Sequence, residues 1–405
     1  MPSTEFTLAQ ALEQLVPELG PVAGVETVDV SKARDRVLAE DVASLVDLPP
    51  FDNSAMDGYA LRSADLRPGH WLQELGRAYA GHPFAGRVAT GTCVRIMTGA
   101  PLPDGADTVV MIEDVVVDGG AVSVARPAQP GSHIRRRGEH VARGDPVLRA
   151  GRHLRPADLG LAAAAGCATL AVRRRLRVGV LSTGDELADP AQALGPAASY
   201  DANRPLLASS LDRLGFDTHD LGICRDSPQD FASALSRARA LRLDAVVASG
   251  GAALGDADVV RAASGVRFVP LNIRPGRGLA FARLVDGSPP LTLLGLPGNA
   301  VAAFVMFHLL ARPLLLHLAG GRAAIPTHLP LPLAGEARVR GHRIDYRRAT
   351  FVRDPDGRRR VQPLRDQGSA MLRTITEADA LIALGPQESY ADGELVDTVP
   401  LDCLD

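Results

Sequence analysis

The sequence predicts a multidomain α/β protein: a central doubly wound domain with a mostly parallel sheet, flanked by smaller β modules. Three observations predict it. The chain has 405 residues, more than the roughly 250–300 at which a single core stops growing. Between positions 176 and 325, short apolar runs alternate with amphipathic helical stretches, the order of β–α–β units. On either side, 51–135 and 326–405 carry short β-like runs broken by Gly and Pro, of which the chain has 40 and 30.

Taken in order, residues 7–20 place Leu8, Leu12, Leu15 and Val16 at helical spacing, and 25–47 then leads through an alternating link into Leu48-Pro49-Pro50. The stretch Pro49 to Ala60 fits no periodic template and reads as a site-forming loop rather than a core element. Strand-like runs follow at 71–75, 94–97, 108–112, 115–117 and 122–124, then an Ala-rich helix from Arg155-Pro156-Ala157-Asp158 to near Gly166. In the centre, strands at 176–181, 216–221, 244–248 and 291–294 alternate with helices. One helix spans 204–214 and another opens at Ser227-Pro228-Gln229-Asp230, with an N-cap Ser and Pro in its first turn. The apolar stretch 300–318 is interrupted by His308, Arg312, Pro313 and His317, and is expected as a buried helix, not a membrane span. Runs at 338–340, 349–352, 380–383 and 395–399 close the chain as a second β module.

Composition narrows the function classes. The chain is 46% hydrophobic and 22% charged, which suits a folded protein. A net charge of -3 and short arginine runs at 135–137, 173–175 and 358–360 point away from nucleic acid and anionic membranes as partners. Cys93, Cys167, Cys224 and Cys403 are scattered, without the spacing of a disulfide framework or a zinc site. The first residues carry no secretory signal, so the expected location is cytoplasmic.

In open α/β sheets, ligands bind beyond the carboxyl ends of the strands, and four loops there are chemically loaded. In Ser182-Thr183-Gly184-Asp185-Glu186, hydroxyls and a close backbone suit phosphate, and two acids suit a cation. Ser249-Gly250-Gly251 opens a glycine-rich loop running to Asp256 and Asp258, able to form an anion-binding nest. Arg274-Pro275-Gly276-Arg277 sets two guanidiniums around a turn, and Pro297-Gly298-Asn299 begins the long apolar helix, whose dipole favours an anion. Plainer readings stay open for each: a helix-starting turn with exposed acids, a capping Asp, ordinary surface arginines. From the residues alone, the chain is an enzyme holding a phosphate-bearing small molecule against carboxylates.

Read together and in order, FDNSAMDGYA (51–60), RIMTGAPLP (95–103), RRRGEHV (135–141), STGDEL (182–187), the SGG…GDAD loop, RPGRG and GLPGN closely resemble the MoeA family of molybdopterin molybdenumtransferases, which includes the gephyrin E domain. The resemblance spans nearly the whole chain. It implies an elongated dimerisation domain from 1–50 and 136–175, a small β domain at 51–135, a MogA/MoaB-like α/β domain at 176–325 and a β-barrel-like domain at 326–405. It also implies a homodimer whose cleft is shared between subunits, supplied by a molybdopterin adenylyltransferase and serving downstream molybdoenzymes. The implied reaction inserts molybdate into adenylyl-molybdopterin with Mg²⁺-dependent release of AMP.

Carried over position by position, the implied catalytic residues are Asp57, Thr98, Glu186, Asp226 and Asp258, with Asp57, Glu186 and Asp258 serving the metal. Ser182, Thr183, Gly184, Asp185, Ser249, Gly250, Gly251, Arg274, Arg277, Pro297, Gly298, Asn299 and Ser369 are implied to bind substrate. The chain departs from the family pattern at Arg274 and Arg277, where lysines are usual, and at His140, Ala253 and Ala300. Two other readings stand beside this one: a divergent paralogue acting as a molybdopterin- or nucleotide-binding scaffold, and a CinA-like nucleotide pyrophosphate hydrolase. The FDNSAMDGYA half disfavours the hydrolase, and acids gathered at an anion site favour catalysis over a scaffold.

Overall fold

The computed structural model describes the chain except residues 1–4, 22–23, 68, 127, 251–258, 287–289, 323–324, 340, 387–388 and 402–405, and except the side chains of 261 and 262. Helix Leu8–Leu15 begins with a capping box between Thr7 and Gln10 and buries Leu8, Ala11, Leu12 and Leu15 against the central domain. Strand Val25–Asp29 pairs antiparallel with Thr169–Arg173, and Val42–Ala43 with Pro146–Leu148. Segments on both sides of the inserted β unit thus share one core, built around Leu38, Leu148, Leu154, Leu170 and Val172.

The inserted unit holds a six-stranded sheet in the order Thr108–Met111, Gly58–Leu61, Thr92–Ile96, Trp71–Ala78, Ala121–Val124, Val115–Asp118. This corrects the sequence reading of 49–60 as a loop outside the core. Gly58–Leu61 is an interior strand, buried throughout. Tyr59 and Leu61 enter one core and Ala60 the other. A strand buried on both faces shows no apolar/polar alternation to read.

The central sheet runs Asp217–Cys224, Arg177–Thr183, Ala245–Ser249, Leu291–Leu296, Gly278–Leu284, Arg267–Pro270. Its first four strands are parallel; Gly278–Leu284 is antiparallel to both its neighbours, so Arg267–Pro270 runs in the direction of the first four. Helix Asn203–Arg213 and the 300–318 helix pack on one face, and Pro228–Ala240 on the other. These last two strands escape a reading of the sequence, and the reversed one explains how the RPGRG turn joins the other loops. Gly278–Leu284 runs opposite to Leu291–Leu296, so it starts at the edge where the parallel strands finish.

The 300–318 helix is long and apolar enough to cross a membrane, yet 78% of its most apolar window is buried inside the protein. It contains a π-turn at Phe307–Ala311, where His308 Nδ1 lies 3.0 Å from the Phe304 carbonyl. In the C-terminal unit, Ile344–Arg353, Ala380–Leu384, Leu395–Pro400 and Leu329–Pro332 form antiparallel neighbours, with Arg359–Pro363 beside the first. Ile273–Arg274 joins the edge of this sheet, parallel to Ile344 and Asp345. Arg274 is therefore placed by the backbone of two domains at once.

One buried carboxylate ties the N-terminal unit to the central sheet. Asp244 accepts from Arg174 Nη1 and Nη2 at 2.7 and 2.8 Å and from the Arg177 amide at 2.9 Å. Its side chain is fully buried, whereas that of Arg174 is 32% exposed. Asp244→Ala is expected to destabilise the protein by about 3 kcal/mol, the low end for breaking a buried pair, because water can reach the orphaned arginine. A fall in the urea midpoint at unchanged slope is the measurement.

Candidate active site

Three groups of predicted residues assemble. The first lies at the ends of Arg177–Thr183 and Asp217–Cys224. Ser182 is buried and donates to Asp201 Oδ1 at 2.9 Å, and Gly184 donates its amide to the Cys224 carbonyl at 3.1 Å. Asp185 Oδ1 accepts from the Asp226 amide at 3.2 Å, and the Glu186 carboxylate folds over Gly184. Desolvation raises the Asp226 carboxyl above the ordinary carboxylate range, and the charges of Asp185 and Glu186 push the same way. Beneath it, burial pushes the Cys224 thiol up to about 11, which keeps it protonated and unfit as a nucleophile.

The raised Asp226 gives a prediction with a definite sign. A carboxyl whose folded-state pKa is raised penalises the fold above that pKa, and the penalty fades as pH falls through it. Asp226→Asn should therefore melt higher than the native protein at neutral pH without divalent cations. The gap should close on acidification, and Mg²⁺ added to the native protein should narrow it. Equal melting at all pH values would remove Asp226 from the acidic group.

The second group sits where the Ala245–Ser249 and Leu291–Leu296 strands end. Thr183 Oγ1 lies 3.5 Å from the Ser249 carbonyl, and the Gly250 amide donates to the Leu296 carbonyl at 3.2 Å. Gly250 has φ +88° and passes so close to Thr183 that an added Cβ would lie 2.4 Å from the Thr183 carbonyl oxygen. Next to it opens a cleft of about 680 Å³, lined by Arg274, Arg277, Pro297, Asn299, Ser369 and neighbouring residues of both domains. Five of the predicted substrate residues thus line one cavity. Arg274 Nε stands 3.8 Å from Asp345 Oδ1, and Asp345 also accepts from Arg347 Nε at 2.9 Å.

The third group is Asp57 with Thr98. Asp57 Oδ1 accepts from the Thr98 amide and from Thr98 Oγ1, both at 2.8 Å, and these bonds hold its carboxyl below the usual range. Arg95, over the Tyr59 ring at 5.1 Å, adds a smaller pull in the same direction. Among the described residues, no hydrogen bond or ion pair within the chain links this pair to the other two groups. Asp52 of the same motif plays a different part. It accepts from Arg136 Nη1 at 2.7 Å and the Arg137 amide at 2.8 Å, clipping the motif to 135–141.

Gly251, Ala253 and Asp258 lie outside the described residues. Among the described residues, no three His, Cys, Asp or Glu side chains are arranged to hold one metal ion. Three supporting residues carry no signal in the sequence. Arg348 is wholly buried and donates to Thr374 Oγ1 at 3.0 Å and to the carbonyls of Asp366 and Gly368 at 3.1 Å each, fixing the loop that leads to Ser369. In Tyr346-Arg347-Arg348-Ala349 nothing marks which arginine faces inward. Asp201 and Asn203 lie at an unremarkable helix start, far along the chain from the site loops that they support.

Comparison with known proteins gives matches along almost the whole chain. Family models described as MoeA N-terminal region (domain I and II), probable molybdopterin binding domain and MoeA C-terminal region (domain IV) match residues 6–166, 179–317 and 330–401. A molybdopterin molybdenumtransferase of Haemophilus influenzae is 35% identical, over 98% of this chain and 99% of its own. A molybdopterin molybdenumtransferase 2 of Mycobacterium tuberculosis is 39% identical over 75% of this chain and 78% of its own. Among solved structures, a molybdopterin biosynthesis MoeA protein from Pyrococcus horikosii superposes with TM-score 0.73 at 28% identity, covering 99% of this chain and all of that one.

Proposed function

The chain belongs to the MoeA family, and from that premise we propose that it is a molybdopterin molybdenumtransferase of molybdenum cofactor biosynthesis, transferring molybdate into adenylyl-molybdopterin and releasing AMP. The observation that carries the reading to the site is the Arg274–Arg277–Ser369 cleft beside the Ser249–Gly250 and Pro297–Asn299 loops. Molybdate and phosphate are hard oxyanions that ask for guanidinium, hydroxyl and backbone donors, all present there. Arg274 and Arg277 clamp anionic oxygens, the loops that begin at Ser182 and Ser249 orient the diphosphate, and Asp57 with Thr98 closes the cleft from the partner subunit of a homodimer.

The acids Asp185, Glu186 and Asp226 fit Mg²⁺, because burial raises Asp226, the charges of Asp185 and Glu186 add to that, and a cation would offset both. The fit is to Mg²⁺ bound through one or two carboxylates together with substrate phosphates, not to a cage of protein ligands. Bound there, Mg²⁺ would neutralise the diphosphate whose P–O–P linkage is cleaved, one phosphate leaving with AMP. Glu186 is the primary carboxylate, with Asp258 and Asp57 completing the set from outside this group. The protein works in the cytoplasm between an adenylyltransferase and the molybdoenzymes, and its domains divide at 50, 135, 175 and 325. The hydrolase and scaffold readings are not favoured, since the family match runs through all parts of the chain.

The test is direct. Purified protein given adenylyl-molybdopterin, Mg²⁺ and molybdate releases AMP, and the release depends on molybdate. Release without molybdate dependence supports a hydrolase; tight binding without release supports a scaffold.

A further inference from the structure

Asn203 has no part in the reading above, yet it lies at the junction of the loops that reading uses. It is the first residue of helix Asn203–Arg213 and is 9% exposed. Its Nδ2 donates to Ser249 Oγ at 2.5 Å and to the Gly298 carbonyl at 2.7 Å. Ser249 ends one strand and Gly298 lies just beyond the end of the adjacent parallel one. Ser249 is 1% exposed, and among the described residues its hydroxyl reaches, besides Asn203, the Pro297 carbonyl at 3.5 Å. Gly298 packs so tightly that an added Cβ would lie 3.3 Å from Gly250 Cα. Two residues earlier, buried Asp201 accepts from Ser182 Oγ at 2.9 Å and from the Arg204 amide and Nε at 3.1 and 3.0 Å. One helix start therefore fixes polar groups at three strand ends.

The Asn203 carbonyl Oδ1 is buried and has no hydrogen-bond partner among the described residues. Leaving such an atom unpaired costs on the order of 1–3 kcal/mol. Of the two ends of this side chain only the amide can donate, and it donates to a hydroxyl and a carbonyl at once, leaving the oxygen end unpaired. We propose that Asn203 is a positioning residue of the molybdenumtransferase reaction. By holding Ser249 and Gly298 in fixed register, it shapes the rim that receives the diphosphate. The proposal rests on the function assigned above.

The experiment compares AMP release by the native protein, Asn203→Ala, Ser249→Ala and the double variant, with melting temperature and AMP affinity measured on each. Asn203→Ala is expected to lose at least about tenfold in kcat, with AMP affinity changed less than threefold and melting within a few degrees of native. Ser249→Ala should cost less in the Asn203→Ala background than in the native one, because the hydroxyl is already released there. Should Asn203→Ala fail to fold, Asn203→Asp keeps the shape, removes both donations, and is read by the same criteria. Native-like kcat in the variant, or independent effects of the two substitutions, overturns the proposal. An inactive native protein overturns the functional reading first and this proposal with it.

Discussion

Asp57→Ala lowers AMP release by on the order of 10²-fold or more, the loss that follows when one preorganised polar group leaves a reacting centre. The carboxylate is exposed, so its removal leaves the fold intact, and the Thr98 amide and hydroxyl it releases are reached by water. Two 2.8 Å bonds to one oxygen fix its direction and keep it ionised, as a group meant to meet a cation or orient a diphosphate requires. Asp57→Asn separates the two roles. The amide retains an oxygen for Thr98 but no charge, so an activity as low as that of the alanine variant assigns the effect to charge.

The same variant tests where the cleft lies. In the proposed homodimer, co-expressed Asp57→Ala and Glu186→Ala chains would form mixed dimers in which a cleft built from two subunits is intact on one side. About a quarter of native activity then returns. A cleft built within one chain gives no recovery, since each chain still lacks one of its acids. Inactivity of the mixture, with both variants folded and dimeric, removes the shared cleft from the proposal.

How much of this is legible in the sequence depends on the distance over which each signal acts. The parallel strands and their helices announce themselves through local periodicity, and the N-cap at Ser227 through its neighbours. The arginine turn is recognisable as a site, but its place is not, because the antiparallel strand that carries it to the others is defined by pairing with Leu291–Leu296. Arg348, Asp201 and Asn203 are invisible for a related reason: their partners are set by tertiary packing, and a single polar residue carries no period. Within FDNSAMDGYA, the turn-rich composition conceals a strand. Asp52 proves to be a clip to Arg136, and Gly58 to Leu61 proves to be core.

Gly58→Ala should be the most damaging single-methyl change in the inserted β unit. Gly58 is in extended backbone, so no conformational freedom is at stake. The obstacle is space. An added Cβ would lie 1.9 Å from the Val110 carbonyl oxygen, 2.8 Å from its carbon and 3.1 Å from Met111 Cα, whereas real Cβ atoms essentially never come within 3.0 Å of a neighbour. All three atoms are backbone, so no side chain can turn aside. Gly58 faces Met111 on one side and Ile96 on the other, leaving no free edge towards which the strand can shift. Relief requires parting the strand from Thr108–Met111, which opens the Tyr59, Leu61 and Val110 core. We expect a loss of about 3 kcal/mol or more, above the usual cost of overpacking. Hydrogen exchange should show it first, as lost protection of amides at 58–61 and 108–111 with the central sheet unchanged. AMP release should fall as well, because Asp57 is held by the next peptide unit and loses its register with Thr98. Native-like protection in both segments would show that the sheet tolerates a side chain there and that the packing drawn around Gly58 is wrong.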